Sequence, residues 1–191
     1  KSWRRTYKLL ERQPRSAATD TLKMMSCGNI MNFGWREGMN VDEAEPFAHE
    51  ALALARETGN VLGEILLLAA YGRIIAATGS ADTYVDHLQQ AGALTGKANR
   101  GQNALRQAIL CQAHMFAGKL REAIAAGEAA LEDVAHVDAF QHQMLGFDVG
   151  RWVESLRARI LVKMGEFSKA AAAIEKLVAT AAEHRDPAIQ F

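Results

Sequence analysis

The residues of this chain whose types and spacing could do chemistry are few. Cys111 and His114 form a C-x-x-H pair at helical spacing. A structural zinc site needs four such ligands, and no second pair completes it. Cys111 also falls where two helices are expected to pack closely, so it reads as a buried small thiol. His136, Asp138 and His142 cluster in one stretch. Asp138 and His142 stand four apart, a spacing that pairs side chains on a helix, and the plainer expectation is a helix start capped by Asp138. Gly96-Lys97 lacks the phosphate-loop spacing and reads as a turn. Asp82 and Asp86 share a face as solvated charge. No Ser, His and Asp set suggests a nucleophile. The chain is therefore read as no enzyme, with no cofactor and no metal.

One constellation carries a binding chemistry, the row Arg36, Arg73, Gln112 and Arg159. Arginine presents a planar fork that holds carboxylates through two hydrogen bonds. The row emerges once the helices that must position it are laid out. Gly38, Gly79, Gly118 and Gly165 mark turns, at spacings of 41, 39 and 47 residues. Glycine suits a turn because it takes positive φ at no steric cost. Seven residues before three of these glycines stand small residues, Gly72, Cys111 and Ala158. Five after two of them stand Ala123 and Ala170, and twelve after stand Ala91, Ala130 and the larger Leu177. Small residues at such points let two helices of a hairpin approach. Bulkier ones, such as Leu120, Phe167 and Ile174, fill the space between hairpins. The first copy, at Gly38, is weaker, with Ala44 and Ala51 each one residue late.

A fixed period of about this size is the signature of a helical solenoid. The pattern at residues 108–131 and 155–178 resembles the tetratricopeptide repeat, and Tyr71 to Gly79 carries its first half. There are departures: the period exceeds the usual 34 or so residues, the closing proline is absent, and Tyr84 and Gly127 stand where a small and a large residue are expected. The longer repeats, with Ala51 to Asn60 closing a hairpin, are similar to those C-terminal to the ATPase of bacterial class III adenylate/guanylate cyclases and maltose-regulator-type activators. The resemblance implies an all-α fold: a right-handed superhelix of antiparallel helix hairpins (a TPR-like α-solenoid) of about nine helices, one domain over 1–191. The expected hairpins are about 21–58, 61–94, 102–134 and 139–184, after a first helix over 2–12. N-caps are expected at Thr19 or Asp20 and at Asp42, with Pro46 in a first turn, a loop over 95–101, and a helix running to Met164 with a break near Gly146 or Gly150. The helix over 61–78 is the most apolar and is expected at the centre of the stack. No strand is expected.

Stacked hairpins place their first helices along an inner wall. One residue past the small packing residue come Arg73, Gln112 and Arg159, with Phe33 as the weaker equivalent, and Arg36 falls three residues further in the first unit. A groove with these polar groups above an apolar floor of Phe33, Met115 and Trp152 follows. The resemblance implies that it holds a protein or peptide segment. The competing expectation is that the arginines are tied to neighbours such as Glu64 and Glu154.

Composition agrees. Of 191 residues, 49% are hydrophobic and only 3 are proline, which favours helix and a sizeable core. Lys+Arg and Asp+Glu are both 22. This balance argues against a nucleic-acid or anionic-membrane surface, which wants a clustered positive field. A local basic patch remains at Arg4, Arg5, Lys8, Arg12 and Arg15. Two cysteines make no disulfide framework, so a reducing, cytoplasmic setting is expected. No apolar run approaches the roughly 20 residues of a membrane span. The chain starts at Lys1 and stops soon after Asp186-Pro187, and reads as a fragment of a longer bacterial signalling protein. The expected role is an interaction or scaffolding module. The alternatives are a small-ligand sensor and a structural spacer or homodimer interface through the apolar ends.

Overall fold

The computed structural model describes residues 2–90, 98–139, 141–142 and 147–184, the last four by backbone alone. Among these residues there are nine α-helices and no strand. They are α1 (Ser2–Leu10), α2 (Ala17–Arg36), α3 (Val41–Glu57), α4 (Val61–Ala77), α5 (Ala81–Gln90), α6 (Arg100–Phe116), α7 (Leu120–Asp133), α8 (Val149–Lys163) and α9 (Phe167–His184). The chain divides into two compact units, 1–97 and 98–191. The expected Gly96-Lys97 turn, Ala91, the end of the second hairpin at 94 and the break at Gly146 lie outside the described residues.

The hairpins α2/α3, α4/α5, α6/α7 and α8/α9 each turn at the glycine expected. Gly38, Gly79, Gly118 and Gly165 have φ of 84°, 105°, 73° and 79°, and Gly59, between α3 and α4, has 64°. The residue after each glycine donates its backbone N–H to the carbonyl five positions back. These bonds are Met39 to Gly34 at 2.8 Å, Asn60 to Ala55 at 2.8 Å, Ser80 to Ile75 at 3.3 Å, Lys119 to His114 at 2.9 Å and Glu166 to Leu161 at 2.9 Å. All five are the same helix stop, in which left-handed glycine lets the chain double back and satisfy a stranded carbonyl.

The helix starts correct the sequence expectation. Ser16, not Thr19 or Asp20, caps α2, accepting from the Thr19 N–H at 3.1 Å while the Thr19 hydroxyl accepts from the Ser16 N–H at 2.8 Å. Asn40, not Asp42, caps α3 in the same reciprocal way with Glu43. In both cases the cap with a partner three residues on wins, because it satisfies two stranded donors rather than one. Pro46 consequently lies beyond the first turn, on an exposed face. Asn99 caps α6 with Gln102, so Arg100 and Gly101 are helical rather than looped. The break expected near Gly146 or Gly150 is found at 147–148, which are not helical, and Asp148 caps α8 through the Arg151 N–H at 2.8 Å. Gly150 lies inside α8 and breaks nothing.

In the first unit, Met31, Ile65, Ile74, Tyr84 and Leu88 are fully buried, and most of α4 faces inward. Ala44, Ala48 and Ala51 present a small-residue face on α3 that is wholly buried. Helix α1 packs on this unit through Tyr7, whose ring meets Phe47 edge-on at 5.2 Å and whose hydroxyl donates to Glu50 at 2.5 Å. In the second unit, Leu105, Val149, Val153, Leu156 and Ile160 form the core, and Ala104, Ala108, Ala123 and Ala130 pack the hairpin seam. Gly101 is a close approach: a side chain there would meet the His136 carbonyl oxygen at 2.2 Å.

Candidate interaction surface

The candidate arginines lie on first helices of hairpins, Arg36 on α2 and Arg73 on α4 in the first unit and Arg159 on α8 in the second. In the first unit, the half-buried Arg73 lays its guanidinium over the Trp35 ring at 6.0 Å, and its Nε donates to the Ala69 carbonyl at 3.2 Å. This stacking joins α2 to α4. Such a pair contributes roughly 0.5–1 kcal/mol near a surface. Arg36 stands in the last turn of α2, exposed. Sequence reasoning missed Trp35 as the platform. The signal was present, since Trp35 adjoins Arg36, but the choice between Phe33 and Trp35 depends on how α2 is rotated. Phe33 is 50% exposed and sits elsewhere, in a cleft of about 300 Å³ with Trp3, Ile30 and Asn29.

In the second unit, Arg159 is exposed on α8, and Trp152, seven residues earlier on the same face, rests against Phe147 at 5.3 Å. Gln112 and Met115 on α6 are buried.

The expected neutralising partners are taken by other arginines. Glu64 accepts from Arg56 Nε at 2.7 Å. Glu154 accepts from Arg157 at 3.2 and 3.3 Å, and Glu128 lies 3.8 Å from the same guanidinium. Arg36, Arg73 and Arg159 have no carboxylate partner among the described residues. Of the basic patch at the start of the chain, Arg15 bridges Asp20 and Glu57 at 3.0 Å each, and Arg4 lies over the Phe47 ring at 5.5 Å.

The other candidates resolve into structure. Asp138 caps the helical residues 139, 141 and 142, accepting from the Gln141 N–H at 2.7 Å, and the Asp138 N–H donates back to Gln141 Oε1 at 2.9 Å. Cys111 is fully buried, and burial pushes its thiol up to about 12. Cys27 behaves alike, at about 12 for the same cause. Burial lowers the His114 and His87 imidazoles from their ordinary value. Among the described residues no three His, Cys, Asp or Glu side chains are grouped to hold a metal ion. No described helix is long and apolar enough to cross a membrane.

No family model matches the chain, and no curated protein matches it. Among solved structures it is similar to a crystal structure of the nearly identical TPR-like repeats of a putative kinesin light chain from Podosopora anserina. The two share 18% sequence identity over 96% of this chain and 85% of that one, with a TM-score of 0.61. At that identity the likeness shows fold, and the fold is a TPR-like all-α solenoid of helix hairpins.

Proposed function

We propose that this chain is a protein-interaction module that binds a peptide or a segment of its own parent protein along the face of its first hairpin helices. Arg36 and Arg73, the latter over the Trp35 ring, would receive acidic groups in the first unit, and Arg159 would do so in the second. The observation that carries this reading is the pairing choice. Glu64 and Glu154 are engaged by Arg56 and Arg157, and Arg36, Arg73 and Arg159 have no carboxylate partner among the described residues. A fold of this class generally mediates protein–protein contact, although fold alone does not assign function. The resemblance to repeats of bacterial signalling ATPases supports a regulatory place in such a cytoplasmic protein, with any catalysis lying elsewhere in it. A second reading, a small-ligand sensor, draws on the Trp3–Phe33 cleft, whose volume of about 300 Å³ is at the lower end for small-molecule sites. A third, self-association, draws on Val162, Met164, Phe167, Ile174 and Val178, all exposed on the last hairpin.

The test is a fluorescence-anisotropy screen of acidic peptides against wild type and the double charge reversal Arg73→Glu/Arg159→Glu. Binding is expected to be lost with helicity by circular dichroism unchanged. Equal affinity in the two proteins would overturn the assignment. Sedimentation and a thermal-shift panel of metabolites address the other two readings.

A further inference from the structure

Counting twelve residues back from each turn glycine reaches Ser26, Leu67, Arg106 and Val153. All four are buried. Two are apolar, and Ser26 satisfies its hydroxyl by donating to the Leu22 carbonyl at 2.8 Å. Arg106 is the exception. It is 8% exposed, and its Nε is buried with no hydrogen-bond partner. The guanidinium's one described contact is donation from a terminal nitrogen to Asn103 Oδ1 at 3.1 Å. No carboxylate faces it among the described residues. Leaving a charged group buried and unpaired is among the more destabilising arrangements a core can hold, and a leucine or valine of the repeat pattern would avoid it. Burial lowers the Arg106 pKa with no opposing acid, in keeping with that geometry.

We infer that Arg106 is an anion-binding residue, its buried Nε left without a partner so as to receive a carboxylate or phosphate oxygen beside the nitrogen that Asn103 engages. Asn103, half-buried and one turn toward the helix start, is the polar group beside it. This site is separate from the row of Arg36, Arg73 and Arg159 and does not depend on it.

The experiment is thermal unfolding of the full chain at constant ionic strength, with chloride replaced stepwise by inorganic phosphate or glutarate, and in a third arm with a short glutamate-rich peptide added. Wild-type Tm is expected to rise with at least one of the three. A response to phosphate or glutarate identifies a free anion as sufficient, and a response to the peptide alone identifies an acidic side chain. Arg106→Leu is expected to match or exceed the wild-type Tm without anion, because it removes an unpaired buried charge. It should weaken the response at least tenfold, the scale of a lost charged hydrogen bond. Arg106→Gln should show the same loss if the leucine variant does not fold. A wild-type Tm indifferent to all three anions, or an undiminished response in Arg106→Gln, would overturn the proposal.

Discussion

Tyr84 lies on the bare backbone of Gly72. A Cβ built on Gly72 would stand 2.0 Å from Tyr84 Cδ2 and 2.5 Å from Cε2, and the Tyr84 side chain is fully buried. The tetratricopeptide pattern expects a small residue at position 84. Here the exchange is compensated across the α4/α5 seam: the ring occupies the volume that glycine vacates. The same logic applies to Gly127, where a large residue is expected. A Cβ there would meet Cys111 Sγ at 3.3 Å, Arg157 Cγ at 3.4 Å and Val153 Cγ1 at 3.5 Å. Side chains from α6 and α8 already fill that space.

Gly72→Ala should therefore destabilise the protein by about 1–3 kcal/mol through overpacking, despite the gain of up to about 1 kcal/mol in helix propensity. Tyr84→Ala alone should cost more, about 3–5 kcal/mol, by opening a cavity. In the double variant the clash has no partner, so the cost of the glycine change should vanish or turn to a gain. Urea unfolding of the four proteins gives the coupling directly. Additive effects would show that ring and glycine do not meet.

The caps give a second expectation. Asn40→Ala should cost about 1 kcal/mol, because the stranded Glu43 N–H loses its acceptor at 2.9 Å. Asp42→Ala should cost only about 0.3 kcal/mol, the weight of a charge near a helix start. Chemical denaturation of the two variants distinguishes them, and the reverse ranking would place the start of α3 at Asp42.

Stability should fall on both sides of a window between about pH 7 and 9. On the acid side, His87 and His114 have folded pKa values below the ordinary 6.5. The unfolded chain then binds protons that the folded chain refuses, so stability present above pH 6.5 is lost as pH falls. On the alkaline side, Cys27 and Cys111 rise from 9.0 to about 12, and Tyr84 from 10.0 to about 12. In Tyr84 burial outweighs the nearby Arg73 charge, which pulls the other way. The unfolded chain releases these protons first, so stability present below pH 9 is lost as pH rises toward 12. Each group adds a slope of up to about 1.4 kcal/mol per pH unit within its window. Urea midpoints at pH 5.5, 8 and 10.5 test both limbs, and Cys27→Ala/Cys111→Ala should flatten the alkaline one.

Three arginines of the candidate surface are legible in the order of residues, while Gln112 and Met115 of the expected groove are buried and Phe33 lies elsewhere. Arg36, Arg73 and Arg159 follow from counting along the turn glycines, and all three are without carboxylate partners among the described residues. What counting misses is the rotation of α2, which puts Trp35 rather than Phe33 against Arg73 and sends Phe33 to the cleft beside Trp3. A stretch such as Phe33-Gly34-Trp35-Arg36 offers aromatic residues on two faces, and only packing against α1 and α4 selects between them.

The amino-acid sequence alone determined the hairpins, because their physics is short-range. A glycine that tolerates positive φ, a polar cap, and small residues at helical spacing act within a few turns of chain, and each leaves a local mark. Which charges meet is decided only partly by such spacing, and otherwise over longer distances. Glu64 stands nine residues from Arg73 on α4 and Glu154 five from Arg159 on α8, spacings that put neither pair together on one helix face. Arg157 takes Glu154 from three residues away, within one turn of α8, but Arg56 reaches Glu64 across the turn between α3 and α4, Arg15 of the first connection reaches Glu57 at the end of α3, and Arg73 of α4 lies over Trp35 of α2. Those outcomes depend on side-chain directions at helix contacts, where a rotation of a few tens of degrees changes the partner while leaving the hydrophobic pattern intact.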